Sequence, residues 1–131
     1  SLIIHNDMSE VINISAKTIS IDQLSKDLKI NPFGIKIDIE GIEILALKGA
    51  HDLLTNNPPK IILMELSQRE ECMASPKELI EHLESYQYGA YIIRDNKLTL
   101  KTKNVLLNEE LDPNGYFIHK SYLSEMRDLI D

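Results

Sequence analysis

The chain has 131 residues, 43% of them hydrophobic and 27% charged, with a formal net charge of -7. That length suits one domain, and the composition excludes wholesale disorder. The acidic balance argues against nucleic acid or an anionic membrane surface as partner, because both repel it. The longest apolar segments fall far short of a membrane span and no signal-peptide pattern opens the chain, so a cytoplasmic protein is expected.

In chain order, Val11 to Ser20 alternates as a strand, and Ile21 to Ile30 reads as a short helix or turn that delivers the chain to Asn31-Pro32. Ile35, Ile37 and Ile39 alternate with Lys36, Asp38 and Glu40, which predicts a strand with one oily face and a second face turning polar toward its C-terminal end. Gly41 breaks that pattern. Ile42, Leu45, Ala46, Gly49, Ala50, Leu53 and Leu54 then follow the three-and-four spacing of a helix lying on a sheet, until Asn56-Asn57-Pro58-Pro59 stops it. Ile61 to Met64 is too short an apolar run for a helix and suits a buried strand. Two strands joined through a helix of this length should lie parallel, with a right-handed crossover.

Ser75-Pro76-Lys77-Glu78 is a capping box with proline at the first helical position, followed by a buried stripe of Leu79, Ile80 and Leu83. Gly89 is expected to supply the left-handed cap where that helix ends. Tyr91 to Arg94 and Lys97 to Leu100 read as a hairpin reversing at Asp95-Asn96. A short strand over Val105 to Leu107, an acidic turn-rich loop from Asn108 to Gly115 and a strand over Tyr116 to His119 follow. A last helix from Ser121 should dock through Tyr122, Met126, Leu129 and Ile130. Lys97, Lys101 and Lys103 read as a solvated edge that discourages strand pairing. Cys72 is the one cysteine and suits a reduced bystander thiol, and His5, His51, His82 and His119 lack the short spacings of a metal motif. Asn13-Ile14-Ser15 matches a glycosylation sequon and, without a secretory signal, is read as chance.

The segment IKIDIEGIEILALKGA, residues 35–50, resembles the signature of the FkbM-type methyltransferases, a branch of the class I S-adenosylmethionine-dependent enzymes. In that family a strand ending Lys-Ile-Asp-Val-Glu-Gly leads into a helix beginning Ala-Glu and continuing to Leu-Lys-Gly-Ala; Ile39 and Ile42 are conservative changes here. KTISIDQL resembles the family's Thr-Leu-Asp-Asp-Leu segment, with Asp22 in the matching place, and PPKIILMEL, YQYGAYIIRD and GYFIHKSYL resemble the strands that close such domains. The resemblance implies an α/β fold, the C-terminal part of a Rossmann-like sheet, with parallel strands, crossover helices and a closing antiparallel hairpin. Val11 to Ser20 would then be the third strand of that sheet. It also implies S-adenosylmethionine as cofactor and O-methylation of a sugar or other small-molecule hydroxyl.

The glycine-rich first turn that holds the cofactor in such folds is not found, since no G-x-G occurs among Gly34, Gly41, Gly49, Gly89 and Gly115. Residues 1–131 are therefore expected to be one partial methyltransferase domain, lacking the N-terminal cofactor-binding strands and inactive alone, and its cofactor-binding residues are unassigned. The sheet edge left open invites a homodimer. The competing reading is a non-catalytic half-domain that serves as a binding or assembly module.

Ligands of open parallel sheets bind at the carboxyl ends of the strands, which singles out Asp38, Glu40 and Glu65. Asp38 is the first candidate for the base that removes a hydroxyl proton during methyl transfer, and Glu40 is the second. Glu43 and Glu65 are candidates for binding a small-molecule or glycan acceptor. Glu40 and Glu43 are also stabilised by a helix N-terminus without any substrate, and Lys36 with Asp38 also suits a structural ion pair on a covered face. No metal is predicted, because a hard cation wants more oxygen ligands than these.

Overall fold

The computed structural model describes residues 2–5, 11–67, 69–100 and 114–130. Leu2–His5 (β1) and Val11–Ile14 (β2) pair antiparallel as a two-stranded sheet of their own. The strand expected over Val11 to Ser20 thus stops at Ile14 and does not join the main sheet. Ser20 instead caps the helix Ile21–Leu28 (α1), its hydroxyl accepting the Gln23 N–H at 3.1 Å, and local capping wins over strand continuation.

Gly34–Ile37 (β3) and Ile61–Glu65 (β4) run parallel, with Ile35 opposite Ile62 and Ile37 opposite Met64. The connection between them is Glu43–Lys48 (α2) and His51–Asn56 (α3). Pro76–Ser85 (α4) leads to Tyr88–Arg94 (β5), which turns back at Asp95 and Asn96 into Lys97–Leu100 (β6). Both turn residues have positive φ, 47° and 62°, as a two-residue hairpin that follows strand twist requires. Asn114–His119 (β7) lies antiparallel between β4 and β5, so the order is β3-β4-β7-β5-β6. Because β4 and β5 each oppose β7, the strands β3, β4 and β5 all point the same way. A 3₁₀ helix, Lys120–Leu129, ends the described chain.

Alternation along the strands sends side chains to two cores. Ile37, Ile62, Met64 and Phe117 pack with Leu47, Leu54, Ile80 and Leu83 under α2, α3 and α4. Ile118 and Tyr91 face the other way and meet Leu98 and Met126. Phe117, Ile62, Leu83 and Ile80 are all but inaccessible, and each such side chain contributes about 1.5–3 kcal/mol of transfer free energy. Among the described residues no helix is long and apolar enough to cross a membrane.

Several sequence expectations change in the fold. The single helix expected from Ile42 is two, because Asp22 intrudes at its middle: the Asp22 N–H donates to Gly49 O, and its carboxylate accepts the Asp52 and Leu53 N–H groups, all at 2.9 Å. Asp22 is thereby the cap of α3 supplied from another helix. The buried stripe is also rotated: Glu43, Leu47, Ala50, Leu53 and Leu54 are inside, whereas Ile42 and Leu45 are 45% and 48% exposed. Ile39 lies beyond the end of β3 and is exposed. The left-handed residue after α4 is Gln87 (φ 68°), and Gly89 belongs to β5. Tyr122, Met126 and Ile130 pack as expected, but Leu129 is exposed, since three residues per turn take it off the face a 3.6-residue period assigns. The Ser75 capping box is present, with Glu78 accepting the Ser75 N–H at 2.8 Å. Lys101, Lys103, the Val105 to Leu107 strand and most of the Asn108 to Gly115 loop lie outside the described residues, and Lys97 is exposed.

Two histidines pack their rings against this framework. His82 packs on Tyr86, and its Nε2 is buried without a hydrogen-bond partner. His119 packs on Tyr88, and its Nδ1 accepts the Ser121 N–H at 3.3 Å. Burial holds both below the ordinary histidine value of 6.5, helped by Lys48 and His51 at His82 and by Lys60 and Lys120 at His119. The unfolded chain then binds more protons, so this stability is intact above about pH 6.5 and drains away as pH falls through that value toward the folded-state values. The urea midpoint should fall between about pH 7.5 and 5.5, and His82→Gln should make the fall shallower; a midpoint flat across that window would contradict the assignment.

Candidate functional site

The parallel register sets the site. With Ile37 level with Met64, the next residues, Asp38 and Glu65, end their strands side by side on the sheet face opposite the Ile37–Met64 core. Glu40 and Gly41 then turn the chain with successive positive φ values of 56° and 101°. This brings the Glu40 carboxylate back over the rim. One oxygen each from Asp38, Glu40 and Glu65 lie within 4.8 Å of one another. The sequence-predicted residues Asp38, Glu40 and Glu65 therefore form one cluster.

Two cations balance it. Lys36 Nζ donates to Asp38 Oδ2 at 2.8 Å, and Arg69 Nη2 donates to Glu40 Oε2 at 2.8 Å. Each bond holds its cation above its ordinary pKa, by hydrogen bonding first and charge second. The Lys36–Asp38 pair suggested by the spacing exists, but both side chains are exposed, so it belongs to an open rim and not to a covered face. The three carboxylate oxygens are close enough to share one cation, and two of the carboxylates are already paired with Lys36 and Arg69.

Glu43 does not join the cluster. It is 5% exposed, and its Oε1 accepts the Gly41 N–H at 3.1 Å, so it fastens the turn from beneath. The loop after β4 fastens it from above. The Met73 N–H donates to Gly41 O at 2.8 Å, and Cys72 packs so closely that a Cβ on Gly41 would lie 3.2 Å from its Cα and Sγ. Arg69 belongs to the same loop and also donates from Nε to Ser67 Oγ at 3.1 Å. It is the site residue the sequence reading missed. Its signal was position, a lone arginine a few residues beyond Glu65 at the carboxyl end of a strand.

A depression of about 440 Å³ adjoins the rim, lined by Ser67, Arg69, Cys72, Ser75 and Lys77 among others. A second, of about 410 Å³, lies between α1 and α3 and includes no rim carboxylate.

The model of the FkbM methyltransferase domain matches residues 5–89, well over half of the chain. The chain belongs to this methyltransferase family. No curated protein and no solved structure matches it significantly. The family match spans β3, the Glu40–Gly41 turn, β4 and the Arg69 loop, so every residue of the rim falls inside it.

An alanine at position 41 meets both a left-handed backbone and the Cys72 Cα. Gly41→Ala should lower stability by about 1–3 kcal/mol, read as a urea midpoint shifted at unchanged slope. A wild-type midpoint would show that the turn relaxes freely.

Proposed function

We propose that this FkbM-family chain carries the acceptor side of an S-adenosylmethionine-dependent methyltransferase acting on a hydroxyl of a sugar or other small molecule. The observation that carries the reading is the convergence of Asp38, Glu40 and Glu65 at the ends of two parallel strands. In this reading the β3 to β4 and β4 to β5 connections are crossover units of a Rossmann-like sheet, and the rim is where such sheets meet their ligands. The exposed carboxylates suit the cationic sulfonium end of the cofactor, which when bound supplies an electrophilic methyl carbon. The chain has no G-x-G turn, so no residue is assigned to the nucleotide end.

The chain's own residues divide the remaining work. Asp38 is the general base: Lys36 holds its Oδ2, and Oδ1 is left to accept the proton of the attacking hydroxyl. Glu65, half-buried at the end of β4, accepts a hydrogen bond from the acceptor and fixes its approach. Glu40 stands by Arg69 at the outer wall. Glu43 acts through the turn it braces.

A second reading has its own support. β3 is the edge of the five-stranded sheet, and its outer backbone groups meet no strand among the described residues, as in a module that binds or assembles by strand addition.

Methyl transfer from labelled S-adenosylmethionine to a panel of hydroxyl compounds, measured on this chain joined to the cofactor-binding strands of such a domain, separates the two. Asp38→Asn should lower turnover roughly 10²–10⁴-fold with the yield of folded protein unchanged. Equal loss of turnover and folded protein would make Asp38 structural, and no transfer together with concentration-dependent self-association would favour the assembly module.

A further inference from the structure

The depression beside the rim is lined by two cations and no carboxylate, although Glu78 accepts the Ser75 hydroxyl at 2.8 Å behind it. The chain carries a net -7 and the rim three carboxylates, yet this pocket is walled by Arg69 and Lys77, with the hydroxyls of Ser67 and Ser75 between them and no carboxylate in its lining. Lys77 forms no ion pair among the described residues. Arg69 is the wall shared with the rim, its Nη2 on Glu40 and its Nε on Ser67 and 3.8 Å from a Glu71 oxygen. A guanidinium has five N–H donors in a planar fork that matches a carboxylate or a phosphate.

We propose that this depression binds an anionic group, carboxylate or phosphate, borne by the methyl acceptor next to its reacting hydroxyl, and that the anion takes Arg69 from Glu40. The identification of the ligand as the acceptor rests on the methyl-transfer reading; the anion site itself does not. The chemistry selects the class. A neutral polyol leaves Lys77 without a counter-charge, whereas a carboxylate or phosphate accepts charge-assisted hydrogen bonds from Lys77 and Arg69. The anion anchors one end of the acceptor behind Arg69, and the hydroxyl lies on the rim side, toward Asp38 and Glu65. When Arg69 turns to the anion, the Glu40 carboxylate loses its 2.8 Å partner and is released to the rim. Acceptor binding is thus coupled to the state of a rim carboxylate through one exposed ion pair, an exchange that costs little because such a pair is weakly held in water.

The test is a titration of the chain with glucuronate and with glucose 6-phosphate, followed by backbone amide shifts, with glucose as the neutral control. The expected result is saturable shifts at Ser67, Arg69, Cys72, Ser75 and Lys77 with at least one anion and none with glucose. Whichever probe binds tells carboxylate from phosphate. Lys77→Gln and Arg69→Gln should each weaken binding roughly tenfold, the loss of one charge-assisted contact. Lys77 is exposed on the first turn of α4, so its variant keeps the test valid even if Arg69→Gln unfolds the loop. No saturable shift with either anion, equal shifts with glucose, or unchanged affinity in Lys77→Gln would overturn the proposal. Because binding is read without S-adenosylmethionine, anion binding with no methyl transfer once the cofactor-binding strands are supplied counts against the methyltransferase reading alone. Methyl transfer to neutral hydroxyl compounds with no anion binding counts against the anion site alone.

Discussion

The pairing of β3 with β4 is the constraint on which the rest of the molecule depends. A parallel pair cannot be closed by a tight turn; it needs a connection long enough to return the chain to the starting end, and α2 with α3 provides it. The register then does chemical work. With Ile37 opposite Met64, both apolar rows face the helices, and the residues that follow, Asp38 and Glu65, leave the sheet level with each other on the opposite face. A slip of one residue would carry Ile37 out of the core and a charged neighbour into it, so hydrophobic burial and the placement of the carboxylates are enforced by one alternation.

The rim is held by bonds that lie outside it. Gly41 is braced on one side by the buried Glu43 carboxylate and on the other by the Met73 amide and Cys72. That bracing allows Glu40 to sit at a positive φ, a conformation an L residue enters only at a cost. Asp22 plays a comparable part lower in the domain, where it caps α3 from α1 and breaks the connecting helix at Gly49. Two acidic residues in the family-like segments thus stabilise backbone, and three others converge at the rim.

Charge is distributed with the same economy. Lys36 and Arg69 offset two of the rim carboxylates without burying them, so both pairs stay open to solvent. Arg69 also divides the acidic rim from a cationic depression, and one guanidinium therefore borders two regions of opposite sign.

Much of this was legible in the order of residues. The alternation around Lys36 and Asp38, the apolar run before Glu65, the Ser75 capping box and the Asp95-Asn96 reversal each depend on neighbours in sequence, and each appears in the fold. The segment 35–50 also carried the family. What only the tertiary structure decided depends on residues far apart. Asp22 splits the connecting helix across about thirty positions, β2 pairs with β1 and not with the sheet, and β7 inserts between β4 and β5. Likewise, Glu43 turns inward while Arg69 reaches back to Glu40. Local spacing encodes period and caps, because those are satisfied within a few residues. It is silent on which distant donor finds which acceptor, and that pairing is what built the rim.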